Sequence, residues 1–516
     1  MNSVADVIRA HAATQPDNSA MIFGSRVTSY ARLDTYSNQV ANGLLTLSAG
    51  AGERIAYLGK NSDHYYEIFF GAAKSQQVLV AINWRLAKQE VEYIINDSNV
   101  GILFADSEFQ AQAESSLKNC DSLFRIIYVD QIDESGFEAW RDSQAVSDPC
   151  MPVSSQDPCI QMYTSGTTGM PKGVVLPHKS FFSQRQSERN VGQWADWHSD
   201  EVNLVAMPIF HIGGTGWGFI AFYHGATNII HQTPDAVRIA HDIVAFQINR
   251  MFIVPSVLQQ IVEYALDNAL DCRSVKSVVY GASPISEQLL KSSLALFGCD
   301  FVQQYGMTET AGAVSYLPAE DHDVNGSKRM SSCGIPFPGI QIKICDQVGK
   351  TLTAGEVGEI CIKSPAIMLG YWNNEAATKE AIVDGWYRSG DAGYLDEDGY
   401  LFLQDRIKDM IVSGAENIYP AEIEKAMLAC EAIKDVAVIG VPDQRWGEAV
   451  KALVVLRENH TLDVAALQAF LRQRIAGYKI PKSIEAIDTI PRTASGKVMK
   501  HILREPYWKG YLRHVN

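Results

Sequence analysis

Short runs of β-branched residues alternate with longer amphipathic stretches in the N-terminal part of the chain, and this alternation limits the folds open to it. The runs that predict strands are 100–104, 125–129, 159–163, 203–206, 250–254 and 277–280, and the predicted helices between them include 234–246 and 285–296. Strands that alternate with helices are typical of parallel sheets covered by helices. The sequence therefore predicts an α/β protein.

The pattern changes after about residue 330. Segments 340–345, 358–363 and 393–405 are short and contain Gly and Asp turns, which is typical of antiparallel strands. We predict a domain boundary between residues 404 and 405, because 1–404 carries a net charge of −18 and 405–516 a net charge of +3. The order helix, strand, strand, helix, strand over 420–488 predicts a small α+β C-terminal domain.

Composition excludes several classes of protein. The formal net charge of −15 over 516 residues argues against a nucleic-acid partner. No apolar run approaches the ~20 residues that a transmembrane helix needs. The nine cysteines include no Cys-x-x-Cys pair, so neither a disulfide framework nor a zinc site is indicated. A cytoplasmic protein without a transmembrane segment is expected, and its oligomeric state stays open, with a homodimer as one alternative.

The strongest local motif is YTSGTTGMPKG at 163–173, directly after a predicted strand. Glycines let backbone N–H groups approach an anion, while hydroxyls and a lysine add donors and positive charge. The motif is not the G-x-x-x-x-G-K-[ST] nucleotide loop, because Gly173 follows Lys172. The residues predicted to surround a polyphosphate are Thr164, Ser165, Gly166, Thr167, Thr168, Gly169 and Lys172.

This motif resembles that of the adenylate-forming superfamily, which includes acyl-CoA synthetases, and the resemblance continues in order along nearly the whole chain. Further matching segments are GASP at 281–284, QQYGMTE at 303–309, WYRSGD at 386–391, DRIKDMI at 405–411, SGAENIYP at 413–420 and IPRTASGKVMK at 490–500. The resemblance implies a large N-terminal domain of α/β-sandwich sheets with a β-barrel-like subdomain, spanning 1–404. It also implies a small mobile C-terminal lid at 405–516.

The resemblance also implies roles for individual residues. Lys497 would be the adenylation lysine, Glu309 the Mg²⁺ ligand and Lys408 the hinge. Thr308 would contact the α-phosphate, and His211, in PIFHIGGTGWG at 208–218, would lie beside the reacting carboxylate. The residues implied to bind nucleotide or CoA are Gly281, Ala282, Tyr305, Asp391, Arg406 and Gly414; Ala415 stands where most relatives have a second glycine.

The implied reaction uses ATP, Mg²⁺ and CoA. A carboxylate first attacks the α-phosphorus of ATP to give an acyl-adenylate, and a thiol then displaces AMP. Segment 207–213 contains no aspartate that could bind a substrate amine, so a hydrophobic acid is expected. The glycines at 213, 214, 216 and 218 predict free volume near His211, hence a medium- or long-chain fatty acid or a bulky alicyclic or steroid-type acid.

Three other functions stay open at this point. The chain could be an arylcarboxylate–CoA ligase, an acyl-AMP ligase that loads a carrier protein, or a nucleotide-binding protein without catalysis. The simultaneous presence of Lys172, Glu309, Asp391, Arg406 and Lys497 argues against the last. Trp217 and Phe219 are expected in the hydrophobic core, with a place at the cap or floor of an acyl tunnel as the alternative.

Overall fold

The computed structural model describes residues 1–47, 50, 52–164, 171–281, 285–324, 327–406, 409–413, 416–443, 447–492 and 498–509, with the backbone alone at 405, 406, 412, 416, 417 and 447. By internal contacts the chain forms two compact units. The first comprises Met1–Ile342 and Ile362–Tyr387, and the second comprises Lys343–Cys361 and Arg388–Asn516. The predicted boundary at 404/405 stays a prediction.

Both units contain helices. Their bounds are α1 Ala5–Thr14, α2 Tyr30–Thr46, α3 Asp63–Lys74, α4 Lys88–Ser98, α5 Gln110–Asn119, α6 Phe137–Asp142, α7 His178–Ser187, α8 Ile212–His224, α9 Ala236–Phe246, α10 Pro255–Asp267, α11 Glu287–Phe297, α12 Glu375–Ala381, α13 Pro420–Leu428, α14 Val464–Arg472 and α15 Lys500–Trp508. Among the described residues, none of these helices has both the length and the apolar composition that crossing a membrane requires.

The strands alternate with these helices in the first unit and dominate the middle of the chain. Their bounds are β1 Ser19–Phe23, β2 Arg26–Ser29, β3 Arg54–Leu58, β4 Val78–Ile82, β5 Val100–Ala105, β6 Arg125–Tyr128, β7 Pro158–Thr164, β8 Lys172–Pro177, β9 Val202–Val205, β10 Thr227–Ile230, β11 Arg250–Ile253, β12 Ser277–Gly281, β13 Asp300–Met307, β14 Gly312–Leu317, β15 Ile335–Pro336, β16 Gln341–Cys345, β17 Gly358–Lys363, β18 Gly370–Tyr371, β19 Ile382–Val383, β20 Trp386–Leu395, β21 Leu401–Arg406, β22 Ile411–Ser413, β23 Glu416–Ile418, β24 Ile433–Asp443, β25 Gly447–Leu456 and β26 Ser483–Ala486.

Two large sheets organise the first unit. One has nine strands in the order β15-β14-β13-β12-β11-β9-β10-β1-β2, and the other has seven in the order β18-β8-β7-β4-β3-β5-β6. Pairings between β9, β10, β11, β12 and β13 are parallel, whereas β13–β14 and β7–β8 are antiparallel. Polar motifs therefore follow the ends of neighbouring buried strands, where ligands bind in open α/β sheets.

Local sequence explains why the covering helices begin and end where they do. Asp235 accepts a hydrogen bond from the backbone N–H of Arg238 and so caps α9, and Gln247, directly after the helix, has a left-handed conformation. Ser286 caps α11 in the same way, and Gly298 ends that helix. Side-chain caps satisfy N–H groups that have no partner inside the helix.

Mainly antiparallel strands follow, as the sequence predicts, although β26 pairs with β25 in parallel. A five-stranded sheet has the order β16-β17-β20-β19 with β21 beside β20, and the C-terminal sheet has the order β23-β22-β25-β24 with β26 beside β25. Ile411, Ile423, Val438 and Leu471 pack in the core of the C-terminal sheet and its helices. The predicted fold class, a large α/β region with a smaller α+β C-terminal region, is confirmed.

Candidate active site

The two ends of the phosphate-binding motif lie side by side in the seven-stranded sheet. Thr164 ends β7 and Lys172 begins β8, and the two residues are register partners in an antiparallel pair. A Cβ atom at Gly173 would lie 2.6 Å from Gln161 Nε2, so a larger residue at this position would require Gln161 to move. Ser165, Gly166, Thr167, Thr168 and Gly169 lie outside the described residues. The structure therefore fixes where the motif begins and ends.

The QQYGMTE motif forms the end of β13 and a short turn after it. The Thr310 hydroxyl donates a hydrogen bond to the Gly312 carbonyl (2.7 Å) and accepts one from the Met307 N–H (3.2 Å). A Cβ atom at Gly306 would approach the Gly312 carbonyl oxygen to 2.0 Å. These contacts fix the turn that carries Thr308 and Glu309, and Glu309 is 8% exposed.

Lys172 and Glu309 share one neighbour, Tyr371. The Tyr371 hydroxyl donates a hydrogen bond to Glu309 Oε1 (3.0 Å), and Lys172 Nζ lies 4.9 Å from the centre of the Tyr371 ring. Within the described part of the chain, no ion pair involves either Lys172 or Glu309. The structure thus brings two predicted site residues together through a residue that the motifs did not indicate.

His211 lies directly before α8. It is partly buried, and no described group forms a hydrogen bond with its buried Nε2 atom. Burial and, to a smaller extent, the positive charge of Arg85 lower the pKa of His211 to about 4. The imidazole is therefore neutral at ordinary pH and can act as a hydrogen-bond partner or proton acceptor, but not as a fixed positive charge.

The glycines near His211 correct one expectation. A Cβ atom at Gly214 would lie 2.2 Å from the Pro208 carbonyl oxygen, and one at Gly218 would lie 2.0 Å from Tyr66 Oη. At Gly213 it would lie 3.0 Å from the Phe252 ring. These three glycines therefore allow α8 to pack closely against the protein and do not leave free volume. At Gly216 a Cβ atom would meet only Ile212, at 3.7 Å, so the expectation is corrected at three of the four positions.

Trp217 and Phe219 belong to the same packed region. Trp217 Nε1 donates to the Leu204 carbonyl (3.1 Å), and the Phe219 ring packs against Phe181 with 5.1 Å between centroids. Trp217 is 6% exposed and Phe219 1% exposed, as expected for core residues.

The predicted adenine residues that the structure describes lie near the ends of β12 and β13, and the predicted ribose residues lie on β20 and β21. Gly281 ends β12, and a Cβ atom there would lie 2.7 Å from the carbonyl oxygen of Gln304, next to Tyr305 on β13. In the second unit, Asp391 on β20 is the register partner of Arg406 on β21. Asp391 is buried and follows Gly390, whose φ of 69° favours glycine.

The remaining predicted site residues cannot be placed. Ala282, Lys408, Gly414 and Lys497 lie outside the described residues, and of Arg406 only the backbone is described. Their roles stay predictions.

Comparison with known proteins shows the family to which the chain belongs. Residues 8–372 match the family model of the AMP-binding enzyme, and residues 422–497 match the AMP-binding enzyme C-terminal domain. The chain belongs to the AMP-binding enzyme family. The superfamily predicted from the motifs is therefore confirmed.

Several relatives of this AMP-binding enzyme match over almost their full length. It is 41% identical over 509 residues to the fatty acid–[acyl-carrier-protein] ligase ScoC of Streptomyces coeruleorubidus, covering 98% of this chain and 96% of that protein. It is 35% identical over 493 residues to a feruloyl-CoA synthase of Amycolatopsis sp, covering 95% and 96%. A solved Mycobacterium tuberculosis fatty acyl CoA synthetase superimposes with a TM-score of 0.80 at 31% identity, covering 98% of each chain.

The predicted enzyme class, an AMP-forming acyl-CoA synthetase that uses ATP and CoA, is confirmed by these matches. The residues present also fit a magnesium ion. Mg²⁺ in nucleotide enzymes is held by one or two carboxylates together with substrate phosphates. Glu309 accepts its hydrogen bond through Oε1, and no described group donates to Oε2, which leaves one oxygen for a cation.

Sequence reasoning missed Tyr371. Its contacts lie 62 residues away at Glu309 and on a separate strand at Lys172, so no local spacing connects the three residues. The local sequence signal is the run Gly370-Tyr371-Trp372, in which two aromatic residues follow a glycine shortly after the predicted strand 358–363.

Proposed function

We propose that this AMP-binding enzyme activates a hydrophobic carboxylic acid with Mg·ATP and transfers the acyl group to CoA. In the first step a carboxylate oxygen attacks the α-phosphorus of ATP, the bond to the bridging oxygen breaks, and pyrophosphate leaves. In the second step the sulfur of CoA attacks the acyl carbon, the bond to the AMP oxygen breaks, and the thiol proton is released. Medium- or long-chain fatty acids and alicyclic or steroid-type acids are the proposed substrates.

One observation carries the proposed substrate class. The segment that would face the acid, 207–213, contains no carboxylate, and His211 is neutral because burial lowers its pKa to about 4. A substrate ammonium would be buried there without a countercharge, which is costly. An apolar acid carries no such cost.

The chain's own residues supply the electrostatics of the first step. Lys172 adds positive charge at the end of the phosphate-binding motif, and Lys497 is proposed to add a second cation at the carboxylate. A magnesium ion held by Glu309 would neutralise phosphate charge. Fixed positive charge directed at the developing charge is the main way in which proteins accelerate phosphoryl and nucleotidyl transfer.

Carboxylate-dependent ATP–pyrophosphate exchange over a panel of acids tests this proposal. The panel should contain straight-chain acids from acetate to long chains, a cinnamic acid, an alicyclic acid and several amino acids. We expect the highest kcat/KM for an apolar acid. Preference for acetate or for an amino acid would contradict the proposed substrate class. Because Gly213, Gly214 and Gly218 pack against protein, chain length has to be decided by this scan.

A carrier protein is the second candidate acceptor, because the relative at 41% identity is named as a ligase of an acyl-carrier protein. An aryl acid is the alternative substrate, since another relative is named as a feruloyl-CoA synthase. Thioester formation with CoA and with a phosphopantetheinylated carrier protein should be compared at equal thiol concentration. We expect faster transfer to CoA; faster transfer to the carrier would assign the second function.

A further inference from the structure

Residues 368–372 join the two predicted phosphate-binding elements, and we name this segment the 368–372 clasp. The Met368 N–H donates to the Glu309 carbonyl (2.9 Å), and the Leu369 N–H donates to the Val175 carbonyl (2.9 Å). The Trp372 N–H donates to the Gly173 carbonyl (2.7 Å). Three backbone hydrogen bonds therefore attach the clasp both to the turn that carries Glu309 and to β8, which begins at Lys172.

Tyr371 is held firmly in the clasp. Its N–H donates to Thr378 Oγ1 (2.9 Å), and β18 pairs with β8 so that Tyr371 is the register partner of Val174. A Cβ atom at Gly370 would lie 2.8 Å from Thr378 Cγ2, so glycine is needed for this close approach. The backbone of Tyr371 therefore has little freedom, and its ring has a defined place.

The neighbouring Trp372 anchors the other side of the clasp. The Arg54 guanidinium lies 3.2 Å from the centre of the Trp372 ring, and Trp372 Nε1 donates to the Asp97 carbonyl (2.8 Å). Arg54 Nε donates in turn to Gln161 Oε1 (2.8 Å) on β7. The clasp is thus tied to both strands that flank the phosphate-binding motif.

We propose that Tyr371 is a positioning residue that sets the Glu309 carboxylate and the Lys172 ammonium in place for Mg·ATP. The proposal rests on the proposed function, because it uses the roles given there to Glu309 and Lys172. Tyr371 itself need not touch the substrate. It acts through the hydrogen bond to Glu309 Oε1 and through the ring face beside Lys172 Nζ.

The hydrogen bond to Glu309 and the ring contact with Lys172 have different effects. The hydrogen bond fixes the rotation of the Glu309 carboxylate and leaves Oε2 for the metal. Hydrogen-bond partners of metal ligands typically change metal affinity or activity by about 10- to 100-fold. The ring attracts the ammonium without neutralising it, so Lys172 keeps its full charge for phosphate. In a direct ion pair, Lys172 and Glu309 would instead neutralise each other's charge.

Two substitutions separate these contacts. Tyr371→Phe keeps the ring and removes the hydroxyl, whereas Tyr371→Leu removes both. Tyr264→Phe is the matched control, because its hydroxyl contacts His241 Nε2 (3.1 Å) on the surface of α10 and is remote from the site in sequence and in strand order. All three variants should first be compared with the wild type by thermal unfolding without ligand.

The decisive readout is ATP binding at a series of Mg²⁺ concentrations, measured calorimetrically without any acid substrate. For Tyr371→Phe we expect the Mg²⁺ concentration that gives half of the maximal binding to rise about tenfold or more, with affinity restored at saturating Mg²⁺. For Tyr371→Leu we expect affinity to stay low even at saturating Mg²⁺, because the Lys172 ammonium is no longer positioned. Tyr264→Phe should match the wild type in both respects.

Other results would overturn the inference. A residue that only supports the fold would lower the unfolding temperature and leave the Mg²⁺ dependence of correctly folded protein unchanged. An unchanged Mg²⁺ dependence in Tyr371→Phe therefore rejects the positioning role, provided that Glu309→Gln shifts it. If Glu309→Gln also has no effect, the metal role in the proposed function fails instead. The acid class does not enter this measurement.

Discussion

Two groups of charged residues in the first unit differ in whether their charges are paired with one another. At the start of α3, Asp63 is paired with Arg26, and Glu67 is paired with Arg141 (2.7 Å); we call these residues, with His64, the α3 cluster. At the candidate active site, Lys172 and Glu309 have opposite charges, but the side chain of each contacts Tyr371, and no ion pair joins them among the described residues. The α3 cluster neutralises its charges internally, whereas the site does not.

The difference separates structural charge from charge available to a ligand. Side-chain atoms of Asp63, His64 and Glu67 lie within 4.8 Å of one another, which is close enough to hold a metal ion. Their arginine partners already supply the positive charge that a metal would bring, so the α3 cluster needs no cation. At Lys172 and Glu309, no described residue supplies the opposite charge, and Mg·ATP carries both signs.

The largest expected effect on stability lies in the α3 cluster. Glu67→Gln removes the buried carboxylate partner of Arg141, whose side chain is 5% exposed, and among the described residues leaves it only Asp142, whose side chain is 56% exposed. Breaking a buried pair costs about 3–5 kcal/mol, and the remaining contact with Asp142 places the expected loss at the lower end of this range. We expect that loss in urea unfolding, with unchanged ATP affinity of the folded protein.

Glu309→Gln is the matched comparison for this prediction. The amide keeps an acceptor for Tyr371, and no described cation loses its partner, so the free energy of unfolding should change by less than about 1 kcal/mol. Mg²⁺-dependent ATP binding should weaken. Equal losses of stability in both variants would remove the distinction between the two groups.

Much of this arrangement could be predicted from the sequence. Alternating β-branched and amphipathic segments located the strands and helices to within a few residues, since burial on both faces of a sheet leaves a strong local pattern. The Gly-rich motif likewise indicated Thr164 and Lys172, because phosphate binding and tight turns require particular residues close together in sequence.

The remainder depends on contacts between distant segments. Tyr371 approaches Glu309 and Lys172 only because β18 pairs with β8, and a two-residue strand leaves almost no pattern in the sequence. The glycines of α8 show the same difficulty. A glycine at position 218 predicts free volume from the sequence, but the Tyr66 side chain from α3 occupies that side of the helix.

The next largest effect should come from the lysine predicted to bring a second cation to the site. Lys497→Ala removes a charge that is needed only while the carboxylate attacks ATP. We expect acid-dependent pyrophosphate exchange to fall about 100-fold or more, on the scale of losing a transition-state contact. Thioester formation from supplied acyl-AMP should be retained.

This prediction has its own internal control, because both half-reactions are measured on one variant. Equal losses in the two half-reactions would show that Lys497 supports the fold or both steps. The free energy of unfolding should match the wild type.

A smaller effect is expected at the other cation of the site. Lys172→Met keeps the length and apolar part of the side chain and removes the charge. Hydrogen bonds to charged groups contribute roughly 1.5–3 kcal/mol, which corresponds to about a tenfold or greater increase in KM for ATP. Stability should change little, since the described contact of Lys172 Nζ is the Tyr371 ring.

Lys379→Met provides the control for Lys172→Met. Lys379 is an exposed cation that pairs with Glu375 along α12, so its loss should affect neither ATP binding nor stability measurably. An ATP KM that rises equally in both variants would indicate a general charge effect.

The smallest expected effect is on the pH dependence of the free energy of unfolding. It should differ between His64, in the α3 cluster, and His211, at the candidate active site. Burial alone would lower the pKa of His64, but the adjacent Glu138 and Glu67 carboxylates raise it to about 9. A folded pKa above the unfolded value of 6.5 stabilises the protein fully below pH 6.5, and this contribution is lost as the pH rises through 9. His64→Gln should therefore flatten the alkaline part of the stability profile, by no more than about 1.4 kcal/mol per pH unit.

His211 should give the opposite sign and serves as the control. Because burial lowers its pKa to about 4, its imidazole is neutral in both states above about pH 7.5 and contributes no alkaline slope. Between pH 6.5 and 4 the unfolded chain binds a proton that the folded site does not. The stability of the protein therefore decreases as the pH is lowered through this range. His211→Gln should flatten only this acid part in urea unfolding. If His64→Gln flattened the acid part instead, the α3 cluster would hold a neutral histidine, and its internal charge balance would be wrong.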